Sequence, residues 1–207
     1  MLAMVPVLIE LFTSEGCSSC PPADELLRKV RGEFITLSEH VDYWDYIGWK
    51  DPNATPKLTA RQNDYASHFR SRGPYTPQMV VDGEFEFVGS DGPALARAVE
   101  QAAKRPKIPL HLTVAGKKLS IIADEAPAGA EMILAVTRNG VASSVTRGEN
   151  QGRRLVHDSV VRHWQPLGNA KVSIEVALPD IVGDNAVVFL QDRRSRHVLG
   201  AASINLP

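Results

Sequence analysis

The only two cysteines in 207 residues stand three positions apart, in Gly16-Cys17-Ser18-Ser19-Cys20-Pro21-Pro22. Two sulfurs at this spacing can join and separate reversibly, and a helix N-terminus beside them stabilises the thiolate that does the attacking. The chemistry indicated is thiol-disulfide exchange. Other uses of the pair fit less well. A stapling disulfide closing so short a loop removes little entropy from the unfolded chain. Zinc needs four ligands; there is no second Cys-x-x-Cys, and His157 and His163 lie far off in a strand-like run. No resident metal or bound cofactor is expected. Metal delivery through the two thiols stays open as a third use, as does a non-catalytic binding module whose disulfide is structural or regulatory.

Composition sets the outer limits. Hydrophobic residues make up 43% of the chain and the formal net charge is −1, which removes the electrostatic footprint of a nucleic-acid binder. No stretch approaches the roughly 18 apolar residues of a membrane span. Met1 to Phe12 is apolar, yet it lacks a basic start and a small-residue cleavage site, and Glu10 interrupts it. It reads as a first strand rather than a signal peptide, with the compartment left open.

The elements that must position the cysteines follow from periodicity. Val7 to Phe12 is a near-continuous apolar run, as in a strand buried on both faces. Leu26, Leu27 and Val30 recur at helical spacing, with a helix starting near Pro21; the Cys-Ser-Ser-Cys turn before it is expected to point its amides at Cys17. A second strand is expected from Phe34 to Val41 and a second helix from Leu58 to Phe69. Asp82-Gly83 between strand-like runs signals a hairpin, and a last helix is expected from Pro93 to Lys104.

This order resembles the thioredoxin fold over roughly the first 105 residues. Four segments carry a closer resemblance: Glu10 to Ala23, His40 to Pro52, Tyr75 to Gly83, and Arg147 to Gly152 with Leu155 and His157. They are similar to a bacterial thioredoxin-like family of unknown function, often described as secreted, which implies a periplasmic or exported location. The resemblance implies that Cys17 attacks and that Cys20 resolves the mixed disulfide. Thr76-Pro77 matches the cis proline that faces the cysteines in thioredoxin-like folds, with the Thr76 backbone beside Cys17; an ordinary turn proline is the alternative. Ser18 and Ser19 carry no charge, so the helix terminus is left to stabilise the thiolate.

Glu10 is a carboxylate in an apolar strand. Many thioredoxin-like enzymes hold a buried acid near this position, so Glu10 is a candidate proton shuttle for Cys20; an edge Glu paired with Lys or Arg is the alternative. The segment His40 to Pro52 carries four aromatics and three acids. Tyr43, Trp44 and Trp49, with Tyr75, are candidates for substrate contact, or the loop packs its own aromatics as a satellite core.

Beyond residue 106 nearly every segment has strand character, and the expected architecture is an α/β thioredoxin-like domain (1–106) followed by a β-sandwich domain (107–207). Leu155 to Trp164 is read as one strand. Arg147, Glu149, Asn150 and Arg153 are expected to form a polar hairpin, with contact to a substrate near the cysteines as the alternative, and His157 and His163 to be structural. The function expected is a thiol-disulfide oxidoreductase acting on disulfide- or thiol-containing proteins or small molecules, served by a separate electron donor or acceptor.

Overall fold

The computed structural model describes residues 5–207. The first part of the chain forms β1 (Val5–Thr13), α1 (Pro21–Val30), β2 (Phe34–His40), α2 (Pro56–His68), β3 (Gln78–Val81), β4 (Phe85–Val88) and α3 (Gly92–Ala102). The stretch Met1 to Met4, read from sequence as part of the first strand, lies outside the described residues. The second part is all strand: β5 (Leu110–Ala115), β6 (Lys118–Ala123), β7 (Ala130–Arg138), β8 (Val141–Ser144), β9 (Arg154–His157), β10 (Val160–Asn169), β11 (Ser173–Ala177), β12 (Asn185–Asp192) and β13 (Val198–Asn205).

The result is an α/β fold with a large mixed sheet and a smaller antiparallel one. Eight strands run in the order β13-β12-β7-β10-β2-β1-β3-β4, while β11-β6-β5 form the small sheet and β8-β9 a separate ribbon. The large sheet crosses the expected junction at residue 106 without a break. Its seam is short: Val160 of β10 pairs parallel with Ser38 of β2, and the Ser38 amide donates to the Ser159 carbonyl at 2.8 Å.

Alternation along the strands decides what each face buries. Val7, Ile9 and Leu11 of β1 pack with Ala23 and Leu27 of α1 and Leu95 and Ala98 of α3. Leu8 faces the other way, with Leu58 of α2 and with Ile133, Val161 and Phe189 from the second part. Further along the sheet, Met132 and Leu134 pack under Leu119 and Ile121 of the small sheet, so two sheets are stacked there.

Local chemistry explains the boundaries. Pro21 and Pro22 open α1, where a missing amide leaves no bond unmade, and Cys20 is the residue before the first turn. Thr55 caps α2 by accepting from the Leu58 amide. At the hairpin, Asp82 and Gly83 both have positive φ, 49° and 67°, as the tight turn requires. Gly83 is also needed sterically, since a Cβ there would sit 1.8 Å from the Arg196 carbonyl oxygen.

The run Leu155 to Trp164, read as one strand, is two. Ser159 takes φ 56°, its hydroxyl lies 2.7 Å from the Thr36 hydroxyl and its amide donates to Asn139 Oδ1. The break resets the alternation, so His157 and His163 do not share one strand face.

Candidate functional site

β1 ends at Thr13, and the chain turns before entering α1. Within that turn the Cys17 amide donates to the Ser14 carbonyl, and the Cys20 amide to the Cys17 carbonyl. This brings the Cα atoms of Cys17 and Cys20 to 5.4 Å, and the two residues are joined as a disulfide. Ser19 Oγ lies 3.4 Å from Cys17 Sγ. Ser18 and Ser19 are exposed, whereas Cys17 is 1% and Cys20 0% exposed, so the bond is recessed beneath its own loop.

Several residues singled out from sequence converge here. The Thr76-Pro77 peptide bond is cis. Pro77 is buried beside α1: a Cβ at Gly89 would lie 3.1 Å from both Pro77 Cβ and Ala23 Cβ. Trp44 spans the gap between the cysteine loop and this proline. Its indole N–H donates to Thr76 Oγ1 at 2.7 Å, while a Cβ at Gly16 would come within 2.9 Å of Trp44 Cβ. Gly16 therefore permits a contact that any larger residue would disrupt.

The other aromatics divide. Trp49 reaches beneath the loop and donates to Glu15 Oε2 at 2.9 Å. Tyr43 packs on the cluster of Phe12, Val41, Tyr65 and Val80, and burial pushes its hydroxyl up to about 12. Tyr75 donates to Glu86 Oε2. Trp44 packs against the same cluster as Tyr43, as in the satellite core considered for this segment, and its indole also reaches Thr76.

Glu10 goes elsewhere. It is fully buried, but its carboxylate accepts from Arg61 Nε at 2.5 Å and from the Tyr65 hydroxyl at 2.6 Å, and it shares the Leu8 face rather than the face that packs α1. Arg61 in turn donates to Gln191 of β12 and lies over the Trp164 ring at 4.4 Å. Glu39 is buried in the same cluster, 3.6 Å from Arg61 Nε; burial first, and the Glu10 charge second, hold it well above the usual carboxylate range.

A second polar cluster, not anticipated as a unit, backs the cysteine loop. His157 of β9 lies 3.5 Å from Glu15, two residues before Cys17, and 3.5 Å from Asp24, four residues after Cys20. Burial pulls the imidazole pKa down, but Asp24 and Glu15 outweigh it and raise it to about 10. His157 is therefore an imidazolium at neutral pH. The His40 ring meets it edge-on at 4.7 Å and places Nδ1 2.7 Å from Asp51 Oδ2. Burial alone would raise Asp51, yet His40 and the amides of Glu15 and Asn53 bring it down to about 2. His40, Asp51 and His157 fall within segments that carry the family resemblance and Asp24 stands one residue past the first of them, but no local spacing links the four.

The turn between β8 and β9 supplies the remaining contacts. Asn150, fully buried, donates from Nδ2 to the carbonyls of Glu15 (2.8 Å) and Cys17 (2.9 Å). Glu149 Oε2 accepts from the Ser18 amide at 3.0 Å and the Ser18 hydroxyl at 2.7 Å. The expectation that amides between the cysteines aim at Cys17 is thus corrected at Ser18, whose N–H is taken by a carboxylate. The polar hairpin predicted from sequence is present, with its tip on the cysteine loop.

Fold and site together define an α/β protein with a recessed Cys-x-x-Cys disulfide at a strand-to-helix turn. Residues 8–191 match the family described as "Protein of unknown function (DUF1223)", and the chain belongs to that family. A solved structure of the protein AGR_C_4864 from Agrobacterium tumefaciens is similar at 30% identity, over 99% of this chain and 96% of that one, with a TM-score of 0.80. HBP35 of Porphyromonas gingivalis shares the fold at 14% identity, over 99% of this chain and 76% of that one, with a TM-score of 0.66. No curated protein matches the sequence. Among the described residues no helix is long and apolar enough to cross a membrane, and no group of three or more His, Cys, Asp or Glu side chains is arranged to hold a metal ion.

Proposed function

We propose that the protein is a thiol-disulfide oxidoreductase of thioredoxin-like type, acting through Cys17 and Cys20. The observation that carries this reading is the joined pair at the end of β1 and the start of α1, with Trp44 linking its loop to Thr76. In the exchange, a substrate thiolate attacks Cys17 Sγ, the Cys17–Cys20 bond breaks and Cys20 leaves as a thiolate that takes up a proton. A second substrate thiol, losing its proton, attacks the mixed disulfide and releases Cys17. Two electrons and two protons pass from a dithiol to the pair, and the reverse sequence returns them to a substrate disulfide. Residues 1–106 are the unit that carries this chemistry, and 107–207 the unit that holds it in place. Thr76 and Pro77 form the wall facing the pair, and Trp44 is the aromatic offered to substrate. Glu10 is assigned to the Arg61 network, not to proton transfer.

The competing reading is a non-catalytic binding module with a structural disulfide, and the 1% exposure of Cys17 favours it. Equilibration with glutathione decides between them. The redox reading expects reversible exchange, loss of exchange in Cys17→Ser, and trapped mixed disulfides in Cys20→Ser. A pair that stays oxidised and inert under native conditions overturns it.

A further inference from the structure

The amides after Cys17 are largely committed. Ser18 N–H goes to Glu149, Cys20 N–H to the Cys17 carbonyl, Ala23 and Asp24 N–H to the Cys20 carbonyl, and Pro21 and Pro22 carry none. The α1 terminus therefore has few donors left to offer a Cys17 thiolate, and the side chain engaging Ser18 brings a negative charge. Its position is set by its neighbour: buried Asn150 is tied to two carbonyls of the cysteine loop and accepts from Arg153. Hydrogen bonds from Ser18 keep the Glu149 carboxyl below its ordinary range, so the charge is present at neutral pH.

We propose that Glu149 is a positioning residue that biases the cysteine pair toward reducing substrate disulfides, by occupying the Ser18 amide and setting a carboxylate against Ser18, the residue next to Cys17. The inference rests on the redox function proposed above. A reduced pair gains stability from a stabilised thiolate, and a strongly oxidising pair is one whose reduced form is so stabilised. Here that stabilisation is withheld, so the dithiol gives up its electrons readily. Cys17 thiolate attacks a substrate disulfide and expels one substrate thiol; Cys20, losing its proton, attacks Cys17 and expels the second. The substrate gains two electrons and two protons, and a dithiol donor restores the pair.

The test uses the full chain with Glu149→Gln, which keeps an acceptor for Ser18 but removes the charge. The Cys17 pKa is read from the pH dependence of iodoacetamide alkylation after phosphine reduction, and the redox equilibrium from glutathione titration. Glu149→Gln is expected to lower the Cys17 pKa and shift the equilibrium toward the dithiol by about fivefold, as for an exposed charge, or about 20 mV for a two-electron couple. Wild-type protein in 1 M NaCl is expected to shift the same way, because screening there acts over about 3 Å. Glu149→Asp should resemble wild type. Unchanged pKa and equilibrium in Glu149→Gln, or no response of wild type to salt, overturns the inference. Alkylation reports the Cys17 pKa even in a pair that refuses exchange with glutathione, so failure of the tuning role and failure of the oxidoreductase reading are separate results.

Discussion

The Glu10–Arg61–Tyr65–Gln191 network and the Glu15–His157–Asp24 network both bury charge between residues far apart in the chain, yet they end on different neighbours. The first ties β1 to α2 and β12 on the α2 face of the large sheet. The second ends on residues flanking the cysteines, and a turn from the same ribbon adds Glu149 and Asn150. A buried carboxylate is thus no pointer to a reaction in itself. What separates the two networks is which backbone they hold. The first joins the layers of the molecule; the second constrains the loop whose geometry chemistry would use.

Substitutions can break this contrast. The largest effect is expected from Arg61→Ala, which leaves Glu10 buried without its counter-charge and removes the guanidinium from the Trp164 ring; a loss of about 3–5 kcal/mol is expected by urea denaturation. Cysteine alkylation in whatever remains folded should keep its pH profile.

His157→Gln should cost somewhat less, about 2–3 kcal/mol near neutrality, consistent with a partly relaxed buried pair. Its signature is pH dependence. The folded-state pKa of His157 is raised to about 10, so its contribution is complete below its unfolded value of about 6.5 and fades as pH rises through 10. Wild type should lose stability between those limits and His157→Gln should show a flatter profile; parallel profiles would remove the imidazolium from the account. The opposite sign applies at Asp51, held at about 2: its contribution is present above its unfolded value of about 3.9 and lost as pH falls through 2. Asp51→Asn should flatten the acid limb in thermal melts.

Asn150→Ala leaves the Glu15 and Cys17 carbonyls without their donor and should lower stability by about 1–2 kcal/mol. If the turn restrains the cysteine loop, alkylation of reduced Cys17 should also quicken; a stability loss with no change in alkylation would make the turn a packing element only. The smallest expected effect is on exchange in Glu10→Gln. Stability should fall, but the rate of thiol-disulfide exchange should match wild type, and a slowed rate in a folded variant would return Glu10 to the mechanism.

Much of the scaffold was legible because its causes are local. The Pro21-Pro22 helix start, the Asp82-Gly83 hairpin and the near-continuous apolar run of β1 each follow from backbone and side-chain preferences within a few residues. The Leu155 to Trp164 run misled because nothing local marks Ser159 as left-handed; the bonds to Thr36 and Asn139 that accompany that bend come from remote segments.

Sequence by itself determined the cysteine spacing, the strand before it and the helix after it, since periodicity and the geometry of two sulfurs are properties of neighbours along the chain. Only tertiary structure decided where the buried charges pair and what takes the Ser18 amide. Those choices are made between residues as far apart as Ser18 and Glu149, or Glu10 and Arg61, which only the folded chain brings together; at Glu10 the demand that a buried polar group find a partner decides the pairing.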